Sequence, residues 1–300
     1  MQKLRSYVLP IAIVLGLLLH RWCALFSGAV PYIIFSILLL TFSAVDLKKL
    51  RPQPMFAWIA LFQVAVSFCG YWLLTLLGAS PIVAEGVLVG VICPVASSVA
   101  VISCMMGANR QTVTSYTVLG NLLVVVVAPI YFTIVGVHPE FGFAASLFVI
   151  MRRIGVVIGL PFVVALLLQL LAPKVNQALG RINGLSFYLW CFALLFTLGQ
   201  TFDFIFIHGP GNWASIAWLG VASLLFCIVQ FGLGKLIGRH YGDTISGGQL
   251  LGQKNTAMGI WMANTFLHPL ASVFLAFYAV FQNLFNSWQL WRYDRKEARR

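Results

Sequence analysis

One cation lies within an apolar stretch near the C-terminal end of the chain. Lys254 is the single charged residue between Leu250 and Leu267. Placing an ammonium at the middle of a bilayer costs about 2.5 to 3.5 kcal/mol on insertion scales, so such a residue usually occupies a protein cavity with a partner or a function. A lysine there could neutralise an anion, replace a bound cation or carry a proton. It predicts a protein that moves a charged solute.

Two groups of helix-breaking and polar residues interrupt apolar runs. Pro94 is followed by Ser97 and Ser98, and a second group extends from Gly247 to Thr256. Broken backbone survives at membrane depth only where it is buried in protein or lines a wet cavity, because lipid satisfies no peptide group. Free helix N-termini favour anions and free carbonyls favour cations. The two interruptions predict a joint substrate and ion site; glycines that only permit close helix packing are the alternative.

The composition identifies the surroundings of these elements. Of the 300 residues 61% are hydrophobic and 9% are charged, whereas about 25% are charged in a typical soluble domain. We therefore predict an all-α polytopic membrane protein. The net charge of +12 does not indicate nucleic-acid binding, because the basic residues are scattered in short loops. The six cysteines lack metal-ligand spacing, and we predict no metal, cofactor or catalytic residue.

Apolar runs of about 20 residues predict ten transmembrane helices. They lie near residues 7–20, 29–45, 55–77, 81–106, 111–136, 145–171, 184–203, 213–237, 243–266 and 269–291. With both termini in the cytoplasm, fifteen of the nineteen Lys and Arg residues fall on the inner side, and the exceptions are Arg21, Arg152, Arg153 and Lys254. Because cytoplasmic loops carry the excess of basic residues, we expect a multi-pass protein of the plasma (inner) membrane with cytoplasmic termini.

The chain also contains a weak internal repeat. VLPIAIVLGLLL around Pro10 is similar to GLPFVVALLLQLL around Pro161, at an offset of 151 residues. Two halves of five spans each must run through the membrane in opposite directions because five is odd. The same offset carries the break at Pro94 to the neighbourhood of residues 246–255. We therefore predict inverted five-helix repeats whose broken spans 4 and 9 cross.

Four segments, in order, resemble the bile acid:sodium symporter family, part of a wider group that includes arsenite and riboflavin transporters. FSILLLTFSAVDLKKLRP resembles the second span and its basic loop, GVLVGVICPVASS the broken fourth span, VVVVAP the end of the fifth, and LLGQKNTAMG the broken ninth. The resemblance covers most of the chain. It implies a single transporter domain over residues 1–300, in which a panel of spans 1, 2, 6 and 7 and a core of spans 3–5 and 8–10 move against each other.

The resemblance also implies oxygen ligands in several spans. Polar positions of the family's third, fifth and tenth spans match Gln63, Thr117, Asn121 and Asn283. In the fourth span two ligand positions match Ser97 and Ser98 if a two-residue gap follows Pro94, and Val99 and Ala100 if it does not. We prefer the alignment with the gap.

The predicted ninth span carries a different charge from the family's ninth span. The family's ion-binding glutamate falls on Leu250 and its glutamine on Lys254, while Gly252 and Asn255 retain the frame around Gln253. A fixed cation within a few ångströms repels Na⁺ strongly at low effective dielectric, so two sodium sites are not expected. Lys254 is then a built-in counter-ion or a proton carrier, and the sequence leaves both open.

Together these observations predict a secondary active transporter of small organic anions that works by alternating access with weak or absent sodium coupling. No P-loop is present to use ATP, and the paired acids or metal triad of an intramembrane enzyme are missing from the sequence. The alternatives are a sodium-coupled symporter of the bile-acid type, and a channel or sensor in which Lys254 is structural and paired with carbonyls. The expected partners are an organic anion and the lipid bilayer, not nucleic acid.

Overall fold

A computed structural model describes residues 11–96, 98–136 and 142–297, and these residues form an all-α protein. In chain order its helices are α1 (11–18), α2 (His20–Leu25), α3 (Val30–Ser43), α4 (Pro54–Leu76), α5 (Pro81–Ile92), α6 (Val99–Met105), α7 (Arg110–Val135), α8 (Phe143–Ile154), α9 (Leu160–Leu171), α10 (Pro173–Arg181), α11 (Leu185–His208), α12 (Trp213–His240), α13 (Thr244–Gly252), α14 (Thr256–Phe266) and α15 (Ser272–Glu297). Within the described ranges, seven helical segments are long and apolar enough to cross a bilayer. The chain is therefore a multi-pass membrane protein, as its composition predicts.

The N-terminal helices differ from the predicted boundaries. The sequence predicts one span near 7–20 and a second near 29–45, yet α2 continues the helix beyond residue 20 and a 3₁₀ turn, Phe26–Ala29, leads directly into α3. His20–Ser43 thus counts as one of the seven apolar segments. The connecting residues are mostly apolar and make a poor loop, because Ser27 and Gly28 are their main turn formers.

Helices pack in two sets of neighbours. In one set α11 packs against α2 and α3, and α3 packs against α9. In the other set α12 packs along α13, α15 and α5, α4 pairs with α5, and α14 pairs with α15. The first set also includes α8, which continues through residues 155–159 into α9, and the second includes α7, which packs against α6 and α4. Contacts between the sets come chiefly from α7 with α8 and from α11 with α14.

Hydrogen bonds tie the loops together at each end of the bundle. At one end the side chain of Gln169 on α9 donates to the carbonyl of Val45 at 2.7 Å, and the side chain of Gln111 on α7 donates to the carbonyl of Lys49 at 3.1 Å. We call this the basic end, because the predicted cytoplasmic loops meet there. At the other end Nδ1 of His20 lies 2.8 Å from Oδ1 of Asp203, which joins α2 to α11.

Two helices are interrupted at the positions that the sequence predicts. Residues 93–98 separate α5 from α6, and residues 253–255 separate α13 from α14. Pro94 lacks the N–H that would continue α5, and the side chain of Asn255 accepts from the amide of Met258, which begins α14 as an N-cap. The local residue types therefore favour both breaks, although Pro129 lies inside the unbroken helix α7, so a proline alone does not force one.

The glycines before the second break lie in regular helix and allow α13 to pack closely against α12. Gly247 and Gly248 lie inside α13, where a Cβ on Gly247 would lie 2.4 Å from the carbonyl oxygen of Gly234 and 2.6 Å from Cα of Gly238. The alternative of close helix packing therefore applies to Gly247 and Gly248, while the break itself lies at the predicted position, Gly252 to Asn255. Two helix backbones approach this closely only where neither carries a side chain.

The close contact between the backbones of α12 and α13 predicts that a larger residue at position 247 destabilises the protein. Gly247→Ala should lower the midpoint of thermal unfolding in detergent, because the new methyl meets α12 backbone, which cannot move aside as a side chain would. Overpacking of this kind costs about 1 to 3 kcal/mol. Gly232→Ala on α12 is the matched control: its Cβ meets nothing within 4 Å, so the better helix propensity of alanine should leave stability equal or slightly higher. Equal midpoints for the two variants would contradict the close approach.

Candidate functional site

The two breaks meet and pair through their backbones. Val95 and Lys254 form an antiparallel bridge. Beside it the amide of Ala96 donates to the carbonyl of Gln253 at 3.1 Å, and the amide of Asn255 donates to the carbonyl of Pro94 at 2.8 Å. Peptide groups without a helical partner are costly away from water. Each break therefore stabilises the other by supplying its missing hydrogen bonds.

The ammonium of Lys254 is bound by the end of a helix. The residue is 1% exposed, and its Nζ donates to the carbonyl oxygen of Val91 at 2.9 Å. Val91 is in the last turn of α5, where carbonyls lack intrahelical partners and carry the negative end of the helix dipole. Lys254 thus occupies the surroundings of a bound cation. Although α6 and α14 both begin at the breaks, the ammonium contacts the C-terminal end of α5 and not a helix N-terminus, and Lys254 does not line the cavity described below.

Gln282 on α15 holds the main chain of Lys254. The amide of Lys254 donates to Oε1 of Gln282 at 2.9 Å, and Nε2 of Gln282 donates to the carbonyl of Lys254 at 3.2 Å. A carboxamide opposite a peptide group satisfies one donor and one acceptor together. Asn283, the candidate from the family resemblance, instead donates within its own helix to the carbonyl of Ala279 at 2.6 Å. Successive helical residues point about 100° apart, and no sequence signal fixes which of the two amides faces the break.

Two side chains that the sequence analysis did not select complete the network. The hydroxyl of Tyr278 donates to the carbonyl of Gly252 at 2.8 Å, which caps the C-terminus of α13. The thiol of Cys93 donates to the carbonyl of Asn255 at 3.2 Å. Cys93 is fully buried, and its thiol acts as a hydrogen-bond donor as well as a small apolar group. A tyrosine in an apolar helix carries no sequence signal for such a role.

Gln63, a predicted oxygen ligand, also reaches the first break. Its Nε2 donates to the carbonyl of Cys93 at 3.3 Å, and its Oε1 accepts from the hydroxyl of Tyr116. Gln63 is 1% exposed. Its oxygen is therefore already bound by Tyr116, and the side chain links α4 and α7 to the backbone of the break.

The remaining candidates at the breaks are partly bound to each other. Nε2 of Gln253 donates to the hydroxyl of Ser98 at 3.1 Å, so the two breaks are also joined by side chains. Asn255 is 7% exposed and caps α14. Ser97 lies outside the described residues.

The side chains of Thr117 and Asn121 donate hydrogen bonds to carbonyls of their own helix, α7. The hydroxyl of Thr117 donates to the carbonyl of Val113 at 2.8 Å, and Nδ2 of Asn121 donates to the carbonyl of Thr117 at 2.6 Å. Oδ1 of Asn121 and Oε1 of Gln253 are buried acceptors with no donor among the described residues. Among the predicted site residues, these two amide oxygens are the buried acceptors without a donor; Gln249 and Gln230, which the sequence analysis did not select, each have another.

A cavity of about 800 Å³ opens at the basic end, between the loop after α3 and the helices α6 and α7. Its polar lining consists of Thr41, Asp46, Lys49, Arg110, Gln111, Thr114, Ser115 and Asn183. Nζ of Lys49 pairs with Asp46 at 3.1 Å, and this hydrogen bond lowers the pKa of the Asp46 carboxyl. Since Asp46 and Lys49 neutralise each other, Arg110 gives the lining a net positive charge.

None of the candidates that the structure describes lines this cavity. The charged residues that line it belong to the segment DLKKLRP and to the start of α7, which the sequence analysis used for the orientation and the family resemblance but did not select as a site. A charged loop has the same residue types whether it is solvated or lines a cavity. The sequence therefore could not show that this loop lines one. The sequence matches no family model and no curated protein.

Proposed function

We propose that this protein is a secondary active transporter that moves a small organic anion by alternating access, with Lys254 in the place of a coupling cation. The observation that carries the proposal is the pairing of two broken helices at Val95 and Lys254, with the lysine ammonium on the carbonyl of Val91. Transporters bind coupling ions with the carbonyl ends of broken helices. A tethered ammonium supplies permanently the charge that sodium would supply reversibly, so transport should not need sodium.

The proposal includes ten spans in two inverted halves. In it, α5 with α6 and α13 with α14 each form one broken span, and α1 with α2 forms the first span. The antiparallel pairing of the two breaks supports an inverted relation. Val95 and Lys254 lie 159 residues apart, whereas the repeat at Pro10 and Pro161 has an offset of 151, so the proposed halves differ in length before their breaks.

A panel and a core are also part of the proposal. The panel consists of α1–α3, α8, α9 and α11, and the core of α4–α7 and α12–α15. Away from the basic end, Nδ2 of Asn264 donates to Oε1 of Gln200 at 3.0 Å, and the hydroxyls of Thr201 and Ser272 lie 3.1 Å apart. These contacts join α11 to the core, while the cavity separates α3 from α6 and α7 at the basic end. Closure at one end with opening at the other is what alternating access requires of each state.

The basic residues at and around the cavity support an anionic solute and a cytoplasmic location of the cavity opening. Arg110 is the unneutralised charge of the cavity lining, which favours an anion. The cavity opens among the basic loops, and such loops are cytoplasmic in membrane proteins. We therefore propose an inward-facing state with both termini in the cytoplasm of a plasma (inner) membrane protein.

A specific observation favours one second candidate. The ammonium of Lys254 is 1% exposed and bound to a carbonyl, as it would be in a channel or sensor of this fold in which the lysine is purely structural. The two candidates differ in kinetics, because a transporter saturates and shows counterflow whereas a channel does neither.

Counterflow in proteoliposomes is the test. Liposomes preloaded with one unlabelled carboxylate, sulfonate or sterol conjugate should accumulate the same labelled compound transiently, with saturable rates that change less than about twofold when sodium is replaced by potassium. Arg110→Gln should raise the half-saturating concentration about tenfold if the guanidinium contributes about 1.4 kcal/mol to binding. Arg239→Gln removes a basic residue outside the cavity lining and should have no effect. Flux that rises linearly with concentration would favour the channel, and no counterflow across the whole panel would contradict the proposal.

A further inference from the structure

Cationic and aromatic side chains alternate where α12 and α15 end. Three cation–π contacts occur there, from Nζ of Lys235 to the ring of Phe285 at 5.2 Å, from the guanidinium of Arg292 to Trp288 at 5.6 Å, and from the guanidinium of Arg295 to Trp291 at 4.2 Å. We call these six residues the basic–aromatic cluster. The indole and phenyl faces hold the cations in place, because a cation is attracted to the ring quadrupole.

Two cations of the cluster lie close enough to repel each other. Lys235 on α12 lies over the ring of Phe285 and Arg292 on α15 lies over the ring of Trp288, and the centroids of these two rings are 5.5 Å apart. The side chain of Lys235 packs over Gly248 of α13, with Cγ 2.6 Å from where a Cβ would be. Two neighbouring cations of which one is half-buried are unfavourable by themselves. An anion between them would remove the repulsion.

Local sequence does not supply enough negative charge. From Arg292 to Arg300 the chain has five basic and two acidic residues. Among the described side chains, the ion pairs lie elsewhere, between Lys49 and Asp46 and between His20 and Asp203. The cluster therefore keeps an excess of positive charge.

The position of the cluster fits the surface of a bilayer. Trp288 is 45% exposed, Trp291 is 51% exposed, and Leu284, one helical turn further from the chain end, is 63% exposed. Exposed tryptophans next to an apolar helix surface mark the level of lipid headgroups. The hydroxyl of Tyr293 lies against Gly107 in the loop before α7, which puts the cluster at the basic end.

We infer that the basic–aromatic cluster binds the headgroup of an anionic phospholipid. Basic sites between membrane helices bind such headgroups, and guanidinium groups donate paired hydrogen bonds to phosphate oxygens. The exposed apolar surface at Leu284 and Trp288 gives the acyl chains a place to pack. A free anion in solution would contact only the cations. A lipid contacts both the cations, through its headgroup, and the apolar surface, through its acyl chains.

The site adjoins a broken helix. A headgroup at the cluster would join α12 to α15, and Lys235 packs on Gly248 of α13, the helix that leads to the break at Lys254. Bound lipid is therefore expected to stabilise the folded protein. The inference does not depend on the transport proposal, since it concerns a different surface and a different ligand.

Lipid binding to the purified protein in an uncharged detergent is the test. Dioleoylphosphatidylglycerol should remain bound in native mass spectrometry and raise the midpoint of thermal unfolding by about 5 °C at a hundredfold excess over its dissociation constant. Dioleoylphosphatidylcholine should do neither. The double variant Arg292→Gln with Arg295→Gln should lose about thirtyfold in phosphatidylglycerol affinity, equivalent to about 1 kcal/mol for each charge removed.

The control removes two basic residues of α10, with Lys174→Gln and Arg181→Gln. If general charge attraction explains binding, both double variants will lose affinity equally, and the inference is overturned. Equal binding of the two lipids to the unmodified protein would overturn it as well. Should the glutamine variant unfold, Arg292→Lys with Arg295→Lys keeps the charge and loses the paired hydrogen bonds, and a fall in affinity of at least about threefold is then expected; unchanged affinity would also count against the site.

Discussion

Lys254→Gln is expected to lower the initial rate of substrate uptake about tenfold or more while the protein stays folded. Hydrogen bonds to charged groups contribute about 1.5 to 3 kcal/mol, and the ammonium of Lys254 makes one to the carbonyl of Val91 at 2.9 Å. If the state open to the other side depends on this contact, losing it shifts the population of states by at least tenfold. The glutamine amide can still donate locally, so the thermal midpoint should change by only a few degrees.

Two comparisons separate charge from packing. Lys254→Met has nearly the length of lysine but no donor, so it should lose transport as fully as glutamine does and unfold at a lower temperature, because the carbonyl of Val91 is left buried without a partner. The unmodified protein should transport equally well in sodium and potassium. Strong stimulation by sodium, or full activity of Lys254→Gln, would show that the lysine does not replace the coupling cation.

Restoring a carboxylate is the complementary experiment. Leu250 is fully buried in the same apolar cluster as Val95 of the first break, so a glutamate at 250 would lie close to the paired segments. Leu250→Glu together with Lys254→Gln is expected to make uptake depend on sodium, since a carboxylate then replaces an ammonium at the site. Leu250→Glu alone is the control and should remain insensitive to sodium, because Lys254 still supplies the positive charge.

Gln282→Leu is expected to destabilise the protein by about 2 to 6 kcal/mol. The side chain of Gln282 satisfies both the amide and the carbonyl of Lys254, at 2.9 and 3.2 Å. Leaving a buried peptide group unpaired costs about 1 to 3 kcal/mol, and two are lost here. The measurement is the free energy of unfolding, or the thermal midpoint where unfolding is irreversible.

Asn283→Leu is the matched control one position further along the same helix. Its side chain donates only to the carbonyl of Ala279 in its own helix, so its removal should change stability by less than about 1 kcal/mol. A larger loss for Asn283→Leu than for Gln282→Leu would mean that α15 presents the other amide to the break.

The sequence by itself determined the membrane class, the positions of both breaks and the burial of one cation. These features follow from local chemistry. Long apolar runs of about 20 residues are helical in lipid because every peptide group needs an internal partner, and Pro94 favours the end of α5 because it lacks an N–H. Lys254 was predictable as a special residue for the same reason, since a lone charge in an apolar run is costly in any fold.

Only the tertiary structure decided what these residues contact. Whether Lys254 meets a helix N-terminus or the carbonyls of α5 depends on the direction in which the two breaks pass each other, and the choice between Gln282 and Asn283 depends on the rotation of α15 by about 100°. The packing role of Gly247 and the lining role of Arg110 likewise require a second helix, α12 in one case and α3 with its loop in the other. The sequence shows how residues are spaced along one helix, whereas these contacts depend on how separate helices cross.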